Sequence, residues 1–145
     1  MAPLSSRTTG FGPRQIAALI ALQLGVLAVV LAATPFKQFD LDRFFVPKEL
    51  ALHVAAFFAI VFCLNRLRTV SLDRVDFFLI TFAALSFLSA LLAANRWLSM
   101  RSVAVTLSGL AVFWCARSLA SAGLKRPLMA VIILATVLGA ATSLV

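Results

Sequence analysis

Charge is scarce in this chain of 145 residues. Asp, Glu, Lys and Arg make up 12% of it, about half the ~25% of a soluble domain, while 63% is apolar and mean hydropathy is +1.07. A water-soluble globule of this size leaves too much surface exposed to hide that much apolar material. The shortage of charge therefore excludes an ordinary soluble enzyme and a disordered tail. Cysteine occurs twice, which excludes a disulfide scaffold. Cys63 and Cys115 have no metal-ligand spacing, and His53 is the single histidine, so no zinc set can be completed. Both cysteines read as small apolar packing residues, kept as thiols by a reducing compartment. No Ser-His-Asp set, carboxylate pair or glycine-rich phosphate loop is present. Strand-type alternation is missing too, which argues against a β-barrel.

What the chain has instead is five long apolar runs, apolar on all faces rather than along one stripe. The expected fold class is all-α: a polytopic transmembrane helical bundle of about five spans, at 16–34, 48–65, 77–94, 102–116 and 127–145, behind a cytoplasmic tail at 1–15. Runs of ~15–19 residues at 1.5 Å per residue match the ~30 Å hydrocarbon layer. The first run, 16–33, exceeds the ~7–15 residues of a cleavable signal and reads as a retained span. Pro35 closes it, and Pro47 with Glu49 suits the start of the second. Ala17, Ala21 and Gly25 form a smooth face for a neighbouring helix, as do Ala135, Gly139 and Ser143; mid-span Gln23 reads as an interhelical hydrogen-bonder. Trp97 and Trp114 lie near span ends as belt residues, and Phe57, Phe58, Phe77 and Phe78 read as lipid-facing bulk. Asp73 and Asp76 are expected to pair with Arg74 or to set the start of the third helix. The end at Val145, without an interfacial anchor, reads as the front part of a longer membrane protein.

Thirteen Lys and Arg against five Asp and Glu give a net charge of +8. The cations sit in small groups between apolar runs instead of one patch, the decoration of membrane loops and not of a nucleic-acid surface. With the N-terminus inside, eight fall on the inner side (Arg7, Arg14, Arg66, Arg68, Arg74, Arg117, Lys125, Arg126) and five outside (Lys37, Arg43, Lys48, Arg96, Arg101). That asymmetry favours the N-inside orientation.

Five cations remain on the side that should be poor in them. Lys37, Arg43 and Lys48 border the same face as Arg96 and Arg101, and such a basic rim suits a phosphate or diphosphate at headgroup level. The simpler reading is that they neutralise Asp40, Asp42 and Glu49 and touch lipid phosphates. His53 lies four residues after Glu49, on the same helix face. It can exchange a proton or bond a sugar hydroxyl; a hydrogen bond within the bundle is the simpler reading. The residues themselves imply no cofactor and no metal.

The segment Asp42-Arg43-Phe44-Phe45-Val46-Pro47-Lys48-Glu49-Leu50 resembles the start of the second span in the O-antigen ligase and O-antigen polymerase-like membrane protein family. So does Leu85–Ser99, a serine-rich span end followed by Asn95-Arg96-Trp97. The resemblance runs from about Ile16 to Val145 through short motifs. It implies a multi-pass protein of the bacterial inner membrane, active in lipopolysaccharide biosynthesis in the cell envelope. There a glycosyltransferase moves a glycan from undecaprenyl diphosphate to an acceptor on the periplasmic face without a metal. It also implies that the family's large periplasmic loop, with its proposed catalytic residues, lies beyond residue 145, so no catalytic residue is carried over; His53 does not match the family's histidine. Within the resemblance, Arg43, Lys48, Arg96 and Arg101 would seat the carrier's diphosphate, with His53 and Glu49 as polar contacts. Two other readings stay open: a small stand-alone scaffold or accessory protein of the membrane, and a fragment of a transporter.

Overall fold

The computed structural model describes residues 11–32, 45–67 and 72–143. Every element among them is helical: α1 (Pro13–Leu31), α2 (Phe45–Leu67), α3 (Arg74–Leu92), α4 (Arg96–Leu119) and α5 (Lys125–Ser143), the last two joined through a wide turn at Ala120–Leu124. The connection expected on the outer side, with Lys37 and Arg43, and the tail at 1–10 lie outside the described residues. Four helical stretches are long and apolar enough to cross a membrane: Pro13–Leu31, Val46–Leu64, Arg74–Leu92 and the 46-residue Arg96–Ala141. The last contains both α4 and α5.

Helix ends follow hydrogen bonding and not hydropathy. The sequence reading takes 95–101 as a connection because Arg96 and Arg101 are charged, yet α4 begins at Arg96. The Oδ1 of Asn95 accepts from the Leu98 N–H at 3.2 Å and caps the helix there. Only 93–95 separate α3 from α4. In the same way α2 begins at Phe45, two residues before Pro47. Proline is tolerated in a first turn, whose N–H groups have no carbonyl to bond. Between α4 and α5, Gly123 adopts φ +98°, a left-handed conformation that breaks the 46-residue stretch into two rods.

The packing partners define the bundle. α1 lies along α2, α2 along α4, α3 along α4, and α5 along α1. Glu49 meets Arg101, and Cys63 hydrogen-bonds Cys115, so α2 and α4 run in the same direction at one constant offset. Asp76 meets Arg117, which makes α3 antiparallel to α4. Gly123 stands beside Phe11 and Pro127 beside Gln23, so α5 runs in the sense of α1.

The core mixes small residues with leucine. Ala18, Leu22, Ala59, Cys63, Cys115, Leu119, Leu124 and Leu128 form its buried cluster. Large apolar side chains point outward instead, Phe77, Phe78, Leu92 and Phe57 among them. α3 is the clearest case: its buried residues are Asp76 and Ala90 while its phenylalanines are exposed. That inverts a soluble helix and fits lipid, where close approach of small residues holds helices together. The expected smooth face of α1 serves this purpose, since a Cβ on Gly25 would come within 2.3 Å of the Ala55 Cβ. The α5 stripe is different: Ala135 is buried, but a Cβ on Gly139 would meet nothing within 4 Å.

Candidate functional site

Polar side chains gather at three levels of the α2–α3–α4 face. At the end carrying the α3–α4 turn, the Arg101 Nε donates to Glu49 Oε2 at 2.6 Å, both side chains about a quarter exposed. The chain places them by symmetry of position: Glu49 sits in the second turn of α2, and Arg101 in the second turn of α4. Lys48 adjoins this pair. Arg96, five residues earlier on α4, projects about 7.5 Å further toward that end at 1.5 Å per residue. Neither Lys48 nor Arg96 has a carboxylate partner among the described residues. Of the four cations expected to seat a diphosphate, α2 and α4 thus carry three to one end; Arg43 lies outside the described residues. Among the described residues Glu49 neutralises Arg101, and the rim keeps its charge at Lys48 and Arg96.

One level deeper, His53 Nδ1 and Ser108 Oγ lie 2.7 Å apart, joining α2 to α4. His53 is thus hydrogen-bonded within the bundle, the simpler of its two readings. Gln23 likewise acts as expected, its Nε2 donating to the Pro127 carbonyl at 3.3 Å and tying α1 to α5.

The opposite end holds a tighter arrangement. Asp76 has no exposed surface. Its carboxylate accepts from the Asp73 backbone N–H at 2.7 Å, from the Trp114 indole N–H at 2.9 Å and from the Arg117 guanidinium. The second Arg117 nitrogen donates to Asp73 Oδ2 at 2.6 Å. Asp73 sets the start of α3, as expected, but the cation serving both aspartates is Arg117 and not the adjacent Arg74. A neighbour in sequence at a helix start points away from Asp76, whereas α4 brings a planar fork of donors alongside it. Trp114 is more than a belt residue, since its N–H is spent on this carboxylate. Spacing gives no signal for the tie; it joins residues 41 and 38 apart.

The two cysteines are also brought together, buried side by side between α2 and α4. Among the described residues no group of three His, Cys, Asp or Glu side chains converges as a metal site. The arrangement is two internally neutralised charge ties bracketing an apolar bundle, with Lys48 and Arg96 at one end lacking a carboxylate partner among the described residues. No family model matches the chain, and no curated protein or solved structure matches it.

Proposed function

We propose that the chain supplies early membrane helices of an O-antigen ligase-like glycosyltransferase of the bacterial inner membrane, with its N-terminus inside and five crossings. Such an enzyme moves a glycan from undecaprenyl diphosphate to an acceptor at the periplasmic face. The observation that carries the reading is the convergence of Lys48, Arg96 and Arg101 at one end of α2 and α4, where Glu49 offsets only one of them. Lys48 and Arg96 then face a dianionic headgroup as point charge and bidentate donor. Arg43 joins them from the preceding connection, and His53 and Glu49 hold the helices that carry the rim. The left-handed link at Gly123 supports five crossings, since it divides α4 from α5.

The test is glycan transfer by the full-length protein with Arg43, Lys48, Arg96 and Arg101 each changed to alanine. A loss of about tenfold or more for Arg96→Ala and Lys48→Ala is expected, the scale of one charge-assisted contact. Unchanged transfer in all four would overturn the diphosphate seat. Labelling of a cysteine introduced at Trp97 by a membrane-impermeant maleimide in whole cells tests the orientation; protection of that site would reverse it. A stand-alone scaffold is the second reading, favoured by the charge ties Glu49–Arg101 and Asp76–Arg117, each satisfied inside the bundle.

A further inference from the structure

A groove of about 480 Å³ lies between α3 and α4 close to their shared turn. Ser86 and Ser89 line it from α3, Ser99 and Ser102 from α4. Elsewhere on these helices exposed hydroxyls are satisfied locally: Thr81 bonds the Phe77 carbonyl and Thr106 the Ser102 carbonyl, each one turn back. Ser86, Ser89 and Ser102 differ. Their hydroxyls have no hydrogen-bond partner among the described residues, and each is at least partly exposed to the groove side. A hydroxyl at membrane depth without a partner is unfavourable, and these three, open on the groove side, can meet a polar group from beyond the described helices.

Depth tells what that group belongs to. Ser89 and Ser99 each lie three residues from the helix ends at Leu92 and Arg96, and Ser86 and Ser102 lie six. At ~1.5 Å per residue the hydroxyls span about 4.5–9 Å below the turn, the level of glycerol and phosphate. Below them the groove turns apolar, walled by Phe82 and Leu85. Above them Arg96 is exposed at the mouth of the groove, and its spacing of three residues puts it on the same face of α4 as Ser99, which lines the groove. The order from surface to interior is cation, hydroxyls, hydrocarbon.

We propose that this groove seats one anionic glycerophospholipid of the bilayer, its phosphate at Arg96 and the serine hydroxyls and an acyl chain along Phe82 and Leu85. The charge of the rim selects an anionic head over a zwitterionic one, and the hydroxyls donate to phosphate or ester oxygens. The lipid carries no glycan, so this inference goes beyond the transfer reading; Arg96 is common to both, and the serine variants, which leave the diphosphate cations in place, separate the two.

The test is native mass spectrometry of the detergent-purified protein after exchange into equal amounts of phosphatidylglycerol and phosphatidylcholine. One retained phosphatidylglycerol per chain is expected. The triple variant Ser86→Ala, Ser89→Ala, Ser102→Ala reduces its retention by at least about fivefold, the scale of a single lost net hydrogen bond. Arg96→Ala keeps a lipid but loses the preference for the anionic head. Phe57→Ala, on the exposed face of α2, changes neither. Alanine is the best helix former, and the three hydroxyls hold no other described residue in place, so the variants are expected to keep the fold; circular dichroism checks this. Equal retention of the two lipids by the wild type, or full retention by the triple variant, would overturn the proposal.

Discussion

Asp76 shows what a single residue contributes here. A carboxylate without exposed surface is tolerable only while its three donors stay in place. Arg117→Ala leaves it buried without its cation and is expected to cost about 3–5 kcal/mol, the scale of a broken buried pair. Thermal unfolding in detergent measures this. Asp76→Asn, which removes the charge instead of stranding it, destabilises less. Arg117→Lys falls between them, because an ammonium cannot span Asp73 and Asp76 as a planar fork does. Gly25 and Gly139 give a second comparison. Gly25→Ala forces a methyl against Ala55 and is expected to destabilise by ~1–3 kcal/mol through overpacking, whereas Gly139→Ala meets open space and leaves the melting temperature within error. The sequence marks both glycines equally as members of small-residue stripes. Which stripe is used depends on where α2 comes to lie, and no local pattern carries that.

Among the elements, α2 and α4 form a parallel pair in fixed register. Glu49–Arg101 marks one end and Cys63–Cys115 the other, with His53–Ser108 between. A protease site placed in the connection 68–71 gives a direct check. After treatment with a thiol-bridging mercuric ion or a mild oxidant, the cleaved halves are expected to stay joined on a non-reducing gel; Cys63→Ser releases them. Separate halves from the unsubstituted protein would refute the register. Helix identity was legible in the sequence, since each expected span falls on a helix. The ends were less so, because hydropathy marks the apolar slab while Asn95 and Asp73 mark the hydrogen-bonded rod. A helix continues past the slab wherever a cap lies further out, as α4 does from Arg96 through Met100. The pairing of helices was not legible: its signals are contacts such as Gln23–Pro127, separated by 104 residues.

At the scale of the molecule, exposed phenylalanine and leucine around a core of alanine, cysteine and leucine describe a body made for hydrocarbon. The protein is expected to stay with membranes through an alkaline carbonate wash and to come off with detergent. Release by carbonate alone would contradict this reading. Composition alone carried that conclusion, because 63% apolar content has no other place to go. The basic rim was legible in part, as the positions of Lys48, Arg96 and Arg101, but the neutralisation of Arg101 by Glu49 required the fold. One feature also bears on how the body is made. The packing of α3 is against α4, and its buried acid finds its cation 41 residues later in the chain. As the ribosome extends the polypeptide, Asp76 is made before Arg117. α3 is therefore complete as a unit only once α4 stands beside it, and the two helices are expected to enter the bilayer as one hairpin with the acid clasped.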